Sequence, residues 1–274
     1  MYIIDNHMHL NPFTGKFLNA VDDFIKAGGN GLFVTTMHYD KIPFSVEDYD
    51  REFKITIDIA NRIKKDKGII AYAVIGPYPV DIINLQGKFG ISKAIDIMKK
   101  AAEIAGKMIS NGDAIAMGEV GWPHFEISEE IYHASLDVLE YCFRICKEAN
   151  APSIIHGPHF TQEHYKMLFE LYKKVGLKDN KVVKHFANPL PKERYNIVPS
   201  FIAKKEIIGY LVNENAPFFL ETDYIDDPLH PGAVLNITTV PKRVKSILDK
   251  KLMDEDTYNK IVLDSYRMVY GIEL

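Results

Sequence analysis

The sequence predicts an α/β protein folded as a single (β/α)8 TIM barrel, and three observations lead to this fold class. Eight short apolar runs rich in β-branched residues alternate with longer amphipathic stretches. The runs are almost continuously apolar, as expected for parallel strands that are buried on both faces. The chain has 274 residues, and barrels of this type typically have about 250 residues in one domain. We therefore expect one barrel domain over residues 1–274.

Each apolar run has the length of a barrel strand and is followed by a segment with helical periodicity. In chain order the runs cover residues 2–7, 31–36, 69–76, 114–120, 152–156, 181–186, 197–203 and 217–222. The main alternative is an open, doubly wound sheet. We disfavour it because no glycine-rich phosphate-binding sequence follows the first run.

Three of the helical segments begin with a recognisable capping sequence, in which Ser or Thr precedes acidic residues. These helices are predicted to follow Ser45, Ser128 and Thr161, and to end near Lys67, Asn150 and Gly176, respectively. The chain has no internal repeat and no linker rich in Ser, Gly or Pro, which agrees with one domain.

Composition limits the classes of function. The chain is 47% hydrophobic and 26% charged, which is typical of a folded globular protein. Its 33 basic and 37 acidic side chains give a net charge of −4, so no overall positive charge favours nucleic acid or anionic membrane. The N-terminal residues do not resemble a signal peptide, and no apolar run is long enough to span a membrane.

The two cysteines, Cys142 and Cys146, are one helical turn apart. This spacing fits half of a metal site or a pair of reduced thiols in the core. We favour reduced thiols because the chain has no further cysteine to complete a metal site. The expected compartment is therefore the reducing cytoplasm.

Potential metal ligands fall at the ends of five predicted strands. The histidines of a His-x-His pair lie on the same face of a strand because side chains alternate along it. In a barrel, the carboxyl ends of the strands meet at the rim that carries the active site. The six residues that we expect there are His7, His9, Glu119, His156, His185 and Asp223.

Taken alone, each of these residues has an ordinary explanation. A histidine after an apolar run is usually a hydrogen-bonded core residue, Glu119 is explained as a buried structural acid, and Asp223 as a helix cap. Together they predict a metal site, because burying four histidines and two carboxylates at one barrel mouth is costly unless a cation neutralises them. Mixed imidazole and carboxylate ligands favour zinc, manganese, cobalt or iron over calcium.

The same residues carry a resemblance that covers essentially the whole chain. The sequence resembles the TatD-type metal-dependent hydrolases of the amidohydrolase superfamily, specifically an archaeal branch of them. The motifs that match are His7-x-His9, Gly118-Glu119-Val120-Gly121, His156, His185-Phe186-Ala187 and Glu221-Thr222-Asp223. The stretch 226–233 resembles the archaeal branch.

The resemblance implies two divalent metal ions. Zinc is the metal that we expect, and manganese, cobalt, iron and magnesium are the alternatives. It implies that His7, His9, Glu119 and Asp223 hold one ion. Glu119, His156 and His185 would then hold the second, with Glu119 as the bridging ligand. In this interpretation Glu119 and Asp223 are catalytic, and Asp223 accepts the proton of the attacking water.

Two departures from the family pattern concern the substrate. The arginine that usually follows the strand-five histidine is absent, since the segment here is His156-Gly157-Pro158-His159. The residues after the glutamate motif are Trp122-Pro123-His124. Five loop residues would surround the site. Each of them either contacts the substrate or is simply exposed at the surface: Trp122, His124, His159, His230 and His38.

The leading functional hypothesis is hydrolysis of a phosphoester, in a small molecule or a nucleic acid. The alternative keeps the metal chemistry but changes the bond to a lactone, amide or carboxylic ester, which the missing arginine makes more credible. A third hypothesis is a metal-binding protein without turnover. The complete ligand set and the presence of Asp223 argue against it.

Overall fold

The computed structural model describes residues 1–211, 216–230 and 234–274. The strands are β1 Ile4–His9, β2 Gly31–Thr35, β3 Ile70–Ile75, β4 Ala116–Gly121, β5 Ser153–His156, β6 Val182–Ala187, β7 Val198–Ile202, β8 Phe219–Glu221 and β9 Tyr224–Ile225. The helices of the described residues are α1 Leu18–Lys26, α2 Val46–Lys67, α3 Asp81–Phe89, α4 Ile91–Ser110, α5 Glu129–Glu148, α6 Gln162–Val175, α7 Ile208–Leu211, α8 Thr239–Asp249 and α9 Glu255–Tyr270.

The strands form one curved parallel sheet in the order β8-β7-β6-β5-β4-β3-β2-β1-β9. The two ends of this sheet meet, because β9 follows β8 in the chain and pairs with β1 through Met8 and His9. Thr222 strengthens the closure: its hydroxyl donates to Oδ2 of Asp5 at 2.6 Å and its backbone N–H donates to Oδ1 at 3.0 Å. The predicted TIM barrel is confirmed.

The predicted elements agree with the structure to within a few residues. Each of the eight predicted strands overlaps one of β1 to β8, although β1 continues to His9. Helix α2 begins where predicted, since Oγ of Ser45 accepts a hydrogen bond from the backbone N–H of Asp48 at 3.2 Å. Helix α6 ends at Gly176, whose φ of 75° is a left-handed conformation that glycine adopts readily.

The C-terminal helix α9 packs against the barrel away from the carboxyl ends of the strands. The ring of Phe33 in β2 lies 4.7 Å from that of Tyr270, and the ring of Phe219 in β8 lies 4.7 Å from that of Tyr266. The backbone N–H of Tyr2, just before β1, donates to Oδ1 of Asn259 at 3.2 Å. The opposite rim of the barrel is thereby left for the candidate site.

Both cysteines lie on the buried face of α5 and are free thiols. Burial raises the pKa of the Cys146 thiol to about 12, so this group is not a ready thiolate. None of the helices in the described ranges is long and apolar enough to cross a membrane.

Candidate metal centre

The structure brings all six predicted ligands together at one mouth of the barrel. His7 and His9 end β1, Glu119 lies in β4, His156 ends β5, His185 lies in β6, and Asp223 follows β8. Three overlapping groups of their ligand atoms each lie within 4.8 Å of one another. Five of the six are buried, and Asp223 is partly exposed.

The first set of ligand atoms surrounds the imidazoles of β1. Oδ1 of Asp223 lies 3.7 Å from Nε2 of His7 and 3.5 Å from Nε2 of His9. The carboxylate of Glu119 completes the set, with Oε1 at 3.8 Å from Nε2 of His7 and Oε2 at 3.9 Å from Nε2 of His9. Ligand atoms about 2.1 Å from a tetrahedral zinc ion are about 3.4 Å apart. These separations therefore leave room for a cation.

The second set lies on the other side of the same carboxylate. Oε1 of Glu119 is 2.8 Å from Nδ1 of His156 and 3.1 Å from Nε2 of His185. The rings of His7 and His185 stack at a centroid distance of 3.9 Å, which joins the two sets. Glu119 is therefore the residue that contacts both groups of imidazoles.

Hydrogen bonds to the outer ring nitrogens of His9 and His185 direct the Nε2 atoms of these two rings toward the centre. Nδ1 of His9 donates to the backbone carbonyl of Thr35 at 3.1 Å, so its Nε2 carries no proton in the neutral ring. Nδ1 of His185 is bonded to Oε1 of Glu221 at 2.9 Å. Nε2 of His7 is buried and has no hydrogen-bond partner. An orphaned buried nitrogen beside two carboxylates fits a divalent cation.

Two backbone features hold these side chains in position. Gly121 has a φ of 137°, and a Cβ there would lie 2.1 Å from the carbonyl oxygen of His156, so no other residue fits. This close approach sets the end of β4 against the end of β5. Asp223 has a φ of 50°, and its backbone N–H donates to the carbonyl of His7 at 3.0 Å. Such conformations often occur at functional sites.

Electrostatic interactions between the ligands keep the central carboxylate ionised. Burial alone would raise the pKa of Glu119, but the neighbouring His185, His156 and His7 outweigh it and hold that pKa well below 4.5. Burial would likewise lower the pKa of His185, yet Glu221 and Glu119 raise it to about 10. The ionised carboxylate of Glu119 therefore needs a positive charge beside it, either on a protonated imidazole or on a bound cation.

A cavity of about 400 Å³ opens above the ligands. His124 and His159, two of the residues considered for substrate contact, line it. Nδ1 of His124 lies 2.9 Å from Nε2 of His156, so one of these two nitrogens donates to the other. His124 therefore contacts a candidate ligand directly. His159 lies with its ring 5.9 Å from that of Phe186.

Trp122 and His230 are not among the described residues that line this cavity, and their substrate contact stays a prediction. The indole of Trp122 is buried and stacks on Phe160 at a centroid distance of 5.2 Å, because a large apolar ring gains more from packing than from a polar mouth. His230 is exposed, and its Nδ1 lies 2.7 Å from Oδ2 of Asp227. In the described structure Trp122 packs in the core, and His230 makes a surface contact with Asp227.

Sequence reasoning missed the roles of Glu221 and Tyr78. Glu221 is fully buried and holds His185, and its place in the Glu221-Thr222-Asp223 motif was a signal for it. Tyr78 lies in the loop after β3, lines the cavity and packs its ring 5.2 Å from that of His156. No pattern in the sequence marks Tyr78.

Comparisons with known proteins agree with this geometry. Residues 4–271 match the family described as TatD related DNase. A protein of Methanocaldococcus jannaschii described as uncharacterized is 31% identical over 99% of this chain and 96% of its own. The crystal structure of YJJV, a TatD homolog from Escherichia coli, covers 98% of both chains at 16% identity with a TM-score of 0.67. A lactonase from Listeria monocytogenes covers 98% of this chain and 95% of its own at 14% identity, with a TM-score of 0.62. The whole-length match to the family and the M. jannaschii relative show that the chain belongs to the TatD-related DNase family.

Proposed function

We propose that this protein is a metal-dependent hydrolase that holds two divalent ions and cleaves phosphoester bonds in a small molecule or a nucleic acid. The observation that carries the proposal is the position of Glu119. Its carboxylate lies between the imidazoles of β1 on one side and those of His156 and His185 on the other. A carboxylate with two oxygens in such a position is suited to bridge two cations.

His7, His9, Glu119 and Asp223 would hold the first ion, and Glu119, His156 and His185 the second. The imidazole and carboxylate donors fit zinc best, with manganese, cobalt, iron and magnesium as alternatives. When bound, such ions supply Lewis acidity, which favours deprotonation of water and stabilises charge that develops on phosphoryl oxygens.

Asp223 is the residue to which we assign the proton transfer. Its side chain lines the cavity and keeps 14% of its surface exposed, whereas the Glu119 side chain is 6% exposed. It is therefore the carboxylate of the centre that reaches water most easily. Asp223 would accept the proton of the attacking water, and Glu119 would hold its position between the two sets of imidazoles.

Hydrolysis of a lactone or carboxylic ester is the second candidate, and one observation favours it. Neither Arg nor Lys is among the described residues that line the cavity, where the basic groups are the imidazoles of His9, His124, His156, His159 and His185. A charged phosphate diester or a polynucleotide usually meets Arg or Lys side chains on its phosphates. The lactonase neighbour shares the barrel and makes this bond class worth testing.

Replacement of Asp223 by Asn tests the mechanism. Asn keeps the shape and an oxygen ligand but cannot accept a proton, and one positioned base contributes roughly 10²–10⁴-fold to rate. We therefore expect D223N to keep at least one metal ion and to lose most of its turnover. Asp137→Asn is a matched control, because Asp137 is 53% exposed on α5. A D223N rate within about threefold of the wild type, far from the range for a base, would place the base elsewhere.

A substrate screen separates the two bond classes. The zinc- and manganese-loaded protein is assayed on p-nitrophenyl phosphate, bis(p-nitrophenyl) phosphate, single-stranded DNA, p-nitrophenyl acetate and γ-butyrolactone. The proposal expects the phosphoesters to have the highest kcat/KM and D223N to lose most of their cleavage. Cleavage confined to the lactone and carboxylic ester would favour the second candidate.

A further inference from the structure

The loop after β3 contributes a tyrosine to two cavities beside the metal centre. Tyr78 lines the cavity of about 400 Å³ above the ligands and also a second cavity of about 270 Å³. The two cavities share the ligands His9 and Glu119, and His38 lines the second one. The Tyr78 side chain is therefore part of the wall around Glu119, the residue at which we expect the reacting bond of the substrate.

The hydroxyl of Tyr78 is available to a ligand. Among the residues that the structure describes it has no hydrogen-bond partner, and the side chain is partly exposed. Tyr49 in the second cavity differs, because its hydroxyl donates to Oδ2 of Asp81 at 2.8 Å. Burial and then the charge of Glu119 raise the pKa of Tyr78 above its usual value. The phenol is therefore protonated at neutral pH and is able to donate a hydrogen bond.

The position of Tyr78 is fixed by its neighbours. Pro79 restricts the backbone of the residue before it to extended conformations. The backbone carbonyl of Tyr78 accepts a hydrogen bond from the N–H of Asp81 at 3.1 Å, and Oδ1 of Asp81 lies 2.8 Å from Nε2 of His38. The ring of Tyr78 lies edge-on to that of His156, at a centroid distance of 5.2 Å. A donor held in this way needs little reorganisation when charge develops beside it.

Few other donors face the same space. Of the described residues that line the metal-centre cavity, Tyr78 is the one that carries a hydroxyl, and none is Arg or Lys. The remaining side-chain donors there are imidazoles. Nδ1 of His124 is engaged with Nε2 of His156, and His159 is exposed to solvent. Tyr78 therefore supplies a neutral donor in a partly buried position, where a hydrogen bond is stronger than in water.

We propose that the Tyr78 hydroxyl donates a hydrogen bond to a phosphoryl oxygen of the substrate, and that this bond strengthens as negative charge develops on that oxygen. In the hydrolysis the water oxygen bonds to phosphorus, the ester P–O bond breaks, and the proton of the water passes to Asp223. Tyr78 forms no covalent bond and keeps its own proton. Its assignment as a catalytic residue rests on the proposed hydrolase function.

Vanadate binding tests the hydrogen bond without turnover. Vanadate adopts the five-coordinate geometry of a phosphoryl-transfer transition state, and its binding to the zinc-loaded full chain is followed by ⁵¹V NMR. Tyr78→Phe removes the hydroxyl and keeps the ring. A hydrogen bond to a charged group predicts that Y78F binds vanadate about tenfold more weakly than the wild type. Equal affinities, or no binding by the wild type, would overturn the proposal.

Turnover gives the second test. Loss of one donor to a developing oxyanion lowers kcat about 10²–10³-fold. We expect a loss of this size for Y78F on the best phosphoester, with a much smaller change in KM and with the metal content of the wild type by elemental analysis. A kcat within about threefold of the wild type, far from this range, or a loss of metal that accounts for the lower rate, would contradict the assignment.

Tyr72→Phe is the matched control. Tyr72 lies on the same strand β3, its ring packs 5.4 Å from that of Phe33, and it is not among the described residues that line either cavity. Y72F should keep the kcat and the vanadate affinity of the wild type. A failure of the hydrolase proposal would look different: no substrate would be turned over, while the difference in vanadate affinity between the wild type and Y78F would remain.

Discussion

Glu221 orients a candidate metal ligand without being one itself. Its Oε1 accepts hydrogen bonds from Nδ1 of His185 at 2.9 Å and from the backbone N–H of Phe186 at 2.7 Å. A carboxylate behind a ligating imidazole fixes the tautomer of the ring and raises its basicity. The sequence contains Glu221 in a recognised motif, but its role depends on the distance between β6 and β8, which no local pattern encodes.

Replacement of Glu221 by Gln should therefore weaken metal binding at His185. Loss of such an outer partner typically lowers metal affinity about 10–100-fold. Competition titration with a chromophoric zinc chelator measures the change. Glu170→Gln, on an exposed side chain of α6, is the matched control. If E221Q and E170Q bind zinc with the same affinities as the wild type, Glu221 has no part in the centre.

At the scale of elements, His38 ties together the loop after β2, helix α2 through Glu52, and the start of α3 through Asp81. The sequence predicts the strands and the three capped helices well, because apolar runs and capping residues are local signals. It does not predict this cluster, since its members are 14 and 43 residues apart from His38. The two-residue strand β9 was also missed, because two residues carry no periodicity.

The His38 cluster predicts a dependence of stability on pH. The pKa of His38 is about 10 in the folded protein against a usual 6.5, so its stabilising contribution is complete below pH 6.5 and is lost as the pH rises through 10. We expect His38→Asn to lower the free energy of unfolding by up to about 4 kcal/mol at pH 6, and by much less above pH 10. Urea unfolding at pH 6, 8 and 10 measures this difference.

His133→Asn provides the control for this series, because His133 is exposed on α5. Its difference from the wild type should stay small at every pH. A His38→Asn difference that does not shrink between pH 6 and pH 10 would show that His38 is not held as a cation in the folded protein.

At the scale of the whole molecule, the barrel closes around a mouth that concentrates four imidazoles and two carboxylates. The fold was predictable because the local pattern of apolar residues indicates the eight strands and their spacing. The meeting of the six residues followed from the barrel itself, since the ends of parallel strands share one rim. Their role as metal ligands stays a prediction, as do the single-domain organisation and the cytoplasmic location.

Metal ions should raise the thermal stability of the protein. A ligand that binds only the folded state at 100 times its Kd adds about 2.7 kcal/mol, which corresponds to several degrees in Tm for a chain of this size. Calorimetry of chelator-treated protein with and without zinc measures the shift. The shift should be smaller in Glu119→Gln. An identical Tm with and without metal in the wild type would show that no ion binds preferentially to the folded barrel.

The metal content of wild-type protein and of Glu119→Gln tests the central claim most directly. Protein reconstituted with zinc or manganese is dialysed and measured by elemental analysis, and affinities are obtained by titration. We predict up to two divalent ions per wild-type chain, and weaker binding of both in Glu119→Gln, whereas His185→Ala should mainly empty the second site. Wild-type protein without metal, or Glu119→Gln with two sites of unchanged affinity, would contradict the account.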